Sequence, residues 1–221
     1  MGVLGQVWDW LADGANWSGE SGVWHRLGEH AYVSGIALAL ACAVALPVGL
    51  WLGHLGKGGG LAVNVSNIGR AVPVFAVLAL FMVSPLRNAG YVPTIAALVL
   101  FAIPPLLTNA YVGMREVDRS VVEAARGMGM SGRQLFWGVE LPLARGLVMT
   151  GLRSGAVQVI ATATIAAMVG QGGLGRIITA GFNTYNTPQV VAGALLVAAL
   201  ALLVEGALLA ADRLLPGAAT R

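Results

Sequence analysis

Five long apolar blocks, at about 31–53, 61–83, 91–113, 146–169 and 188–211, constrain this chain more than any other feature. Each reaches the roughly 20 residues, at about 1.5 Å of helix per residue, that cross a bilayer core. A globular core in a chain of 221 residues has no use for five of them. Only 10% of residues are charged, against about 25% in soluble domains. The expected fold is therefore an all-α membrane protein with five transmembrane helices. Pro47, Pro73, Pro104 and Pro105 fall inside the blocks. A proline removes one backbone donor, and lipid tolerates this only where neighbouring helices satisfy the freed carbonyl. A packed bundle follows, with Gly49-x-x-x-Gly53 and Gly151-x-x-x-Gly155 offering faces for close helix approach.

Basic residues in the short connections orient the bundle. Five crossings from an external start place Lys57, Arg115, Arg119, Arg126, Arg133, Arg145, Arg213 and Arg221 on one side, and Arg26, Arg87 and Arg176 on the other. The first side is the cytoplasm. This makes 1–30 an external, interfacial segment, 31–211 the membrane domain and 212–221 a cytoplasmic tail. Trp8, Trp10, Trp17 and Trp24 suit a short helix or loop at the membrane surface. The acids Asp9, Asp13, Glu20 and Glu29 in that stretch, and the lack of a basic start before an apolar core, argue against a cleavable signal peptide.

Other function classes have little support. The net charge of +3 is scattered between apolar blocks, as orientation requires, and forms no nucleic-acid patch. The single cysteine, Cys42, excludes an internal disulfide, and no metal-type Cys/His spacing is present. His25, His30 and His54 read as interfacial side chains. Arg70, Arg153 and Glu205 lie inside blocks, where snorkelling or local pairing is the expected reading over a transport role. Asn109, Gln158, Thr162 and Thr164 are expected to make interhelical hydrogen bonds, with lining of a pathway as the alternative.

The anomaly is the polar stretch 123–142, between the third and fourth blocks and on the cytoplasmic side. Ser131-Gly-Arg-Gln134 fits a capping box, which predicts a helix from Gly132 that ends before Leu141-Pro142. The stretch upstream is also helix-compatible, with glycines at 127, 129 and 132 for the turn. The result is a helical bracket with Ala124, Ala125 and Gly129 as a small-residue face and Met128, Met130, Leu135 and Phe136 as apolar knobs. The residues alone leave two readings open. The bracket either inserts into a groove of another protein or packs beneath its own bundle. Residues 127–132 match G-x-G-x-x-G literally, but no strand precedes them, and Lys57 lies in no G-x-x-x-x-G-K-[ST] pattern. The chain is not expected to bind ATP by that route.

Here a family resemblance enters. Glu123-Ala124-Ala125, three residues, Gly129, nine residues, Val139, one residue and Leu141-Pro142 resemble the coupling loop of ABC-importer permeases. Five spans with the loop (114–145) after the third resemble the methionine-importer-like permease domain. The stretches 24–30, 45–49 and 71–73, with Gly172-Gly173-Leu174-Gly175, are similar to osmoprotectant permeases for glycine betaine, choline and carnitine. The resemblance implies a second permease subunit (identical or homologous), a cytoplasmic ATPase dimer that binds the ATP, an external substrate-binding protein, and no cofactor on this chain. It implies that Glu123 contacts the ATPase or caps the bracket, that Ala124, Ala125 and Gly129 fit sterically, and that Val139 and Leu141-Pro142 close the bracket. The outer segment with Gly172, Gly173, Leu174, Gly175 and Tyr185 is the expected gate and binding-protein contact, with a plain reentrant connector as the alternative. Few aromatics lie in the spans, so selectivity is expected to reside in the binding protein. A stand-alone channel or scaffold, and an importer of an amino acid such as methionine, are the rival readings.

Overall fold

The computed structural model describes residues 2–214, without the side chains of Val63 and Arg70. The Arg70 head group and the tail beyond 214 thus lie outside the described residues. The elements are α1 (Val3–Ala12), α2 (Val23–Leu55), α3 (Gly59–Ala71), α4 (Val74–Val83), α5 (Val92–Arg115), α6 (Arg119–Gly127), α7 (Gly132–Leu135), α8 (Leu141–Ala163), α9 (Gly175–Asn183) and α10 (Thr187–Leu214). Short 3-10 turns follow α1, α4 and α8, and a π turn (Phe136–Glu140) joins α7 to α8. No strand occurs among the described residues.

Four helical stretches are long and apolar enough to cross a membrane: Val23–Leu55, Val92–Arg115, Gly132–Val169 and Thr187–Leu214. The fifth crossing expected at 61–83 is broken. Gly59–Gly69 and Val74–Val83 meet at 79°, and the count of five holds only with this pair taken as one span. Pro73 supplies the cause. Val72 ahead of it is held extended (φ −84°, ψ 125°), as a residue before proline prefers. The outer blocks start and stop elsewhere than hydropathy suggests. α2 begins at Val23 rather than 31, and α10 runs through 212 to Leu214, where Arg145 donates to the Asp212 carbonyl at 2.9 Å.

The core forms where α2, α5 and α8 pack. Ala37, Ala41, Ala45, Gly49 and Gly53 recur every four residues as a buried stripe of α2. A Cβ on Gly49 would lie 2.7 Å from the Leu107 carbonyl oxygen, and one on Gly151 would lie 2.6 Å from the Asn109 Cβ. Gly49, Gly53 and Gly151 therefore mark real close approaches to α5, while a Cβ on Gly155 would meet Leu106 at 3.4 Å, an ordinary contact. α5 passes Pro104 and Pro105 unbroken. Pro105 has no N–H to give the Phe101 carbonyl, and Gln158 of α8 donates its Nε2 to that oxygen at 3.1 Å. Asn109 and Thr164, expected to bond between helices, bond instead within their own, to Pro105 and Ala161. Replacing Gln158 with leucine is expected to leave the Phe101 carbonyl unpaired at a cost of about 1–3 kcal/mol. Thermal unfolding in detergent reads this as a lowered midpoint; an unchanged midpoint would refute the assignment.

Arg153 and Glu205 pair across α8 and α10, with Nε donating to Oε1 at 2.9 Å, which is the local pairing expected. α1 forms in the tryptophan-rich segment and packs on α10, with Trp10 and Trp17 set against Val23, Ile160, Leu174, Ile177 and Val197. Trp17 donates its Nε1–H to the Leu11 carbonyl at 2.7 Å, and its ring lies 5.2 Å from that of Trp24.

Candidate functional site

The bracket is built by local rules at each joint. Asp118 caps α6 by accepting the Ser120 N–H at 2.8 Å, and this bond holds its carboxyl below the usual range. Gly129 then reverses the chain at φ +84°. Its N–H bonds to the Arg126 carbonyl, and the Met130 N–H bonds to that of Ala125. This pair is the Schellman ending, which needs a left-handed residue and so favours glycine. Ser131 opens α7 with the complete capping box.

One face of the bracket packs beneath its own bundle, and the other is open. Val122, Ala125 and Leu135 are buried with Met114, Val117 and Ala144, and Met130, Phe136 and Val139 pack against them. Glu123, Ala124 and Gly129 are exposed, and Met128 is 77% exposed. Ala125 therefore does not belong to the exposed small-residue face, because its position on α6 points it toward the ends of α5 and α8. Of the four expected knobs, only Met128 stands fully free. Among the described residues the bracket is capped by Asp118 and Ser131, and Glu123 makes no cap bond.

Leu141-Pro142, expected to end the bracket, lies inside a continuous helix. The bracket does not stop there. Gly132–Val169 is one helical stretch of 38 residues, and the π turn carries the helix past Pro142 in the first turn of α8. The second half of the bracket is thus a continuous extension of the fourth span. Leu141 is half-buried and Pro142 exposed.

The π turn holds Glu140, whose residue surface is 1% exposed. Its carboxylate meets His54 Nδ1 at the end of α2, and its second oxygen has no hydrogen-bond partner among the described residues. The Phe136 ring stands edge-on to His54, centroids 5.5 Å apart. The bracket is therefore tied to α2 by a buried imidazole–carboxylate contact.

About 36 Å along α2, at 1.5 Å per residue, a second polar pair holds the glycine-rich segment. Glu29 accepts the Gly173 N–H at 2.9 Å, the Tyr91 hydroxyl at 2.7 Å and Arg26 Nη1 at 2.8 Å. His30 is 1% exposed. Its Nδ1 accepts the Leu174 N–H at 3.3 Å, which leaves Nε2 to donate to the Ile160 carbonyl at 3.0 Å. Gly173 turns at φ +91°, and a Cβ on it would lie 3.1 Å from His30 Nδ1. One on Gly172 would lie 2.5 Å from the Glu29 carboxylate. Leu174 is buried and Gly175 opens α9. His30 and His54, expected as interfacial side chains, are structural ties instead. Their partners are 144 and 86 residues away, so no local pattern announces them.

Tyr185 lies apart from this loop, beyond the end of α9. It is 95% exposed and left-handed at φ +55°. Its N–H bonds to Phe182 and that of Asn186 to Gly181, a Schellman ending with tyrosine where glycine is favoured. Such a residue costs about 1–2 kcal/mol, and strain of this kind collects where a side chain must be presented. Tyr185→Gly is expected to raise the thermal midpoint, by about 1 kcal/mol of stability; a lowered midpoint would show that the ring is bound within the chain.

Comparison with known proteins agrees with this architecture. Residues 45–215 match the family described as binding-protein-dependent transport system inner membrane component. The chain is 37% identical over 189 residues to the glycine betaine/carnitine/choline transport system permease protein OpuCB of Bacillus subtilis (strain 168), covering 86% of each chain. It is 40% identical over 180 residues to the carnitine transport permease protein OpuCB of Listeria monocytogenes, covering 81% and 82%. Among solved structures, a chain of the MetNI methionine ABC transporter, described in inward-facing conformations, superposes with a TM-score of 0.75 at 22% identity. The superposition covers 90% of this chain and 96% of that one, a likeness of fold.

Proposed function

The chain belongs to the binding-protein-dependent transport system inner membrane component family and is an ABC-importer permease, and from that premise we propose that its cargo is a quaternary-amine osmoprotectant: glycine betaine, choline or carnitine. The observation that carries the cargo is identity of 37–40%, over more than four fifths of both chains, to permeases named for these compounds. Two permease subunits enclose the pathway at their interface. Two ATPase subunits dock on the brackets in the cytoplasm, and an external binding protein delivers the substrate. The N-terminus is outside and the C-terminus in the cytoplasm, in keeping with the basic residues of the connections. ATP is bound by the partner subunits, and this chain carries neither nucleotide nor cofactor.

The ties at the two ends of α2 support a mechanical route. ATP and loaded binding protein must both favour the state open to the outside, and each needs a contact that differs between states. The bracket, Glu140 and His54 provide such a contact inside, and the glycine loop held by Glu29 and His30 provides one outside. Reconstitution into liposomes with the ATPase and the binding protein tests the reading. ATP-dependent uptake of labelled glycine betaine, choline or carnitine is expected. Uptake of methionine with none of these three would overturn the cargo.

A further inference from the structure

A groove of 970 Å³ runs along α2 and ends at α7 and the π turn. Its α2 wall extends from Ala39 to His54, about 22 Å at about 1.5 Å per residue. From Ala39 to Leu50, about 17 Å by the same rise, that wall carries no charged side chain, and Leu46, Pro47 and Leu50 line it. One leaflet of a bilayer core is about 15 Å deep. The other end of the groove differs in chemistry. Trp51 and Trp137 stand exposed there, as tryptophan does where a membrane meets water. Arg133 lines the same end, and its exposed side chain makes no hydrogen bond or ion pair among the described residues. None of the lining residues is acidic. His54, also at this end, turns its Nδ1 to Glu140.

We propose that this groove seats one phospholipid of the leaflet on the bracket's side, with an acyl chain along α2 and the phosphate on Arg133, so that the lipid bridges α2 and the bracket beside the His54–Glu140 contact. The occupant must be apolar for the depth of a leaflet and anionic where the groove meets water. A phospholipid joins these two properties in one molecule. An apolar helix of a second copy would cover the wall and leave Arg133 unanswered, and a free anion would answer Arg133 and leave the wall uncovered. The guanidinium suits a phosphate because its planar fork offers two parallel N–H donors. Basic residues beside membrane-spanning helices hold lipid headgroups by the same chemistry. The seat needs only the membrane fold, and the bracket's part in coupling rests on the importer reading above.

The test extracts the chain with its partners in mild detergent and counts by native mass spectrometry the phospholipid that stays on each permease chain. One phospholipid per permease chain is expected to survive extraction. Arg133→Gln is expected to weaken its retention about tenfold, or about 1.4 kcal/mol, and Arg133→Lys by less than about threefold, since the charge stays. Ala43→Trp fills the groove from an exposed position of α2 and is expected to expel the lipid with Arg133 intact. Leu202→Trp, at an exposed position of α10, is the control and should keep it. Retention in Arg133→Gln and Ala43→Trp equal to that in the control overturns the proposal, because the lipid is then ordinary boundary lipid. Displacement by inorganic phosphate, with the lipid kept in Ala43→Trp, also overturns it and leaves a site for a free anion. So does a photo-reactive side chain at position 43 that joins another protein chain in native membranes instead of lipid. The count is made on the permease chain itself, so a chain that brings no ATPase with it refutes the importer reading while the lipid result still stands or falls.

Discussion

A Gly129→Asp chain is expected to insert into the membrane at the wild-type level and to support no measurable uptake. The left-handed backbone at φ +84° costs an L-residue about 1–2 kcal/mol. Aspartate is among the side chains that visit this region, so the Schellman ending survives strained. No heavy atom lies within 4 Å of a Cβ built on Gly129, so the new side chain meets nothing inside its own chain. It projects instead from the exposed side of the bracket, beside Met128 and Ala124, and adds bulk and a negative charge to the proposed docking face. The defect should therefore fall on the partner and spare the fold. Quantifying the chain in membranes, the ATPase that co-purifies with it and uptake by the same cells checks this. Normal uptake would remove the docking role from Gly129, and a chain missing from the membrane would make the residue structural.

Replacing His54 with leucine is expected to damage both stability and coupling. Glu140 is buried with His54 as its partner. Stripping the partner from a buried carboxylate costs about 3 kcal/mol or more, and the thermal midpoint should fall sharply. A double variant, His54→Leu with Glu140→Met, removes both polar groups and fills the space with apolar atoms. Such replacements are often neutral or stabilising, so the midpoint should recover. Transport should not recover, because the bracket is then no longer tied to the end of α2 by a directed contact. The informative quantity is substrate moved per ATP hydrolysed in liposomes. A double variant with the wild-type ratio would show that the contact serves folding alone.

Features fixed by neighbours in sequence were legible in it. The spans follow from apolar length, the capping box from residues three apart, and the broken second span has its cause in Pro73. A donor for the carbonyls freed by proline and an interhelical bond from Gln158 were both expected, but only the packing of α8 on α5 makes the Phe101 carbonyl the partner. The face of the bracket was not legible. Ala124 and Ala125 are chemically alike, and only the packing of α6 against the ends of α5 and α8 turns one outward and the other inward. The expected stop at Leu141-Pro142 failed because a helix can run through a proline, as α5 does at Pro104 and Pro105, and a π turn (Phe136–Glu140) leads directly into α8. The roles of Glu29, His30, His54 and Glu140 were not legible for a different reason. Each is a lone polar residue whose partner comes from the register of packed helices, and no periodicity records that register.

In the proposed transporter, the open face of the bracket is where an ATPase subunit sits. The most direct measurement puts a photo-reactive side chain at position 128 and, as a control, at buried position 135, in membranes that contain the whole transporter. Irradiation is expected to join position 128 to the ATPase subunit and to leave position 135 without that adduct. Adducts of position 128 with lipid or with permease chains alone would contradict the account.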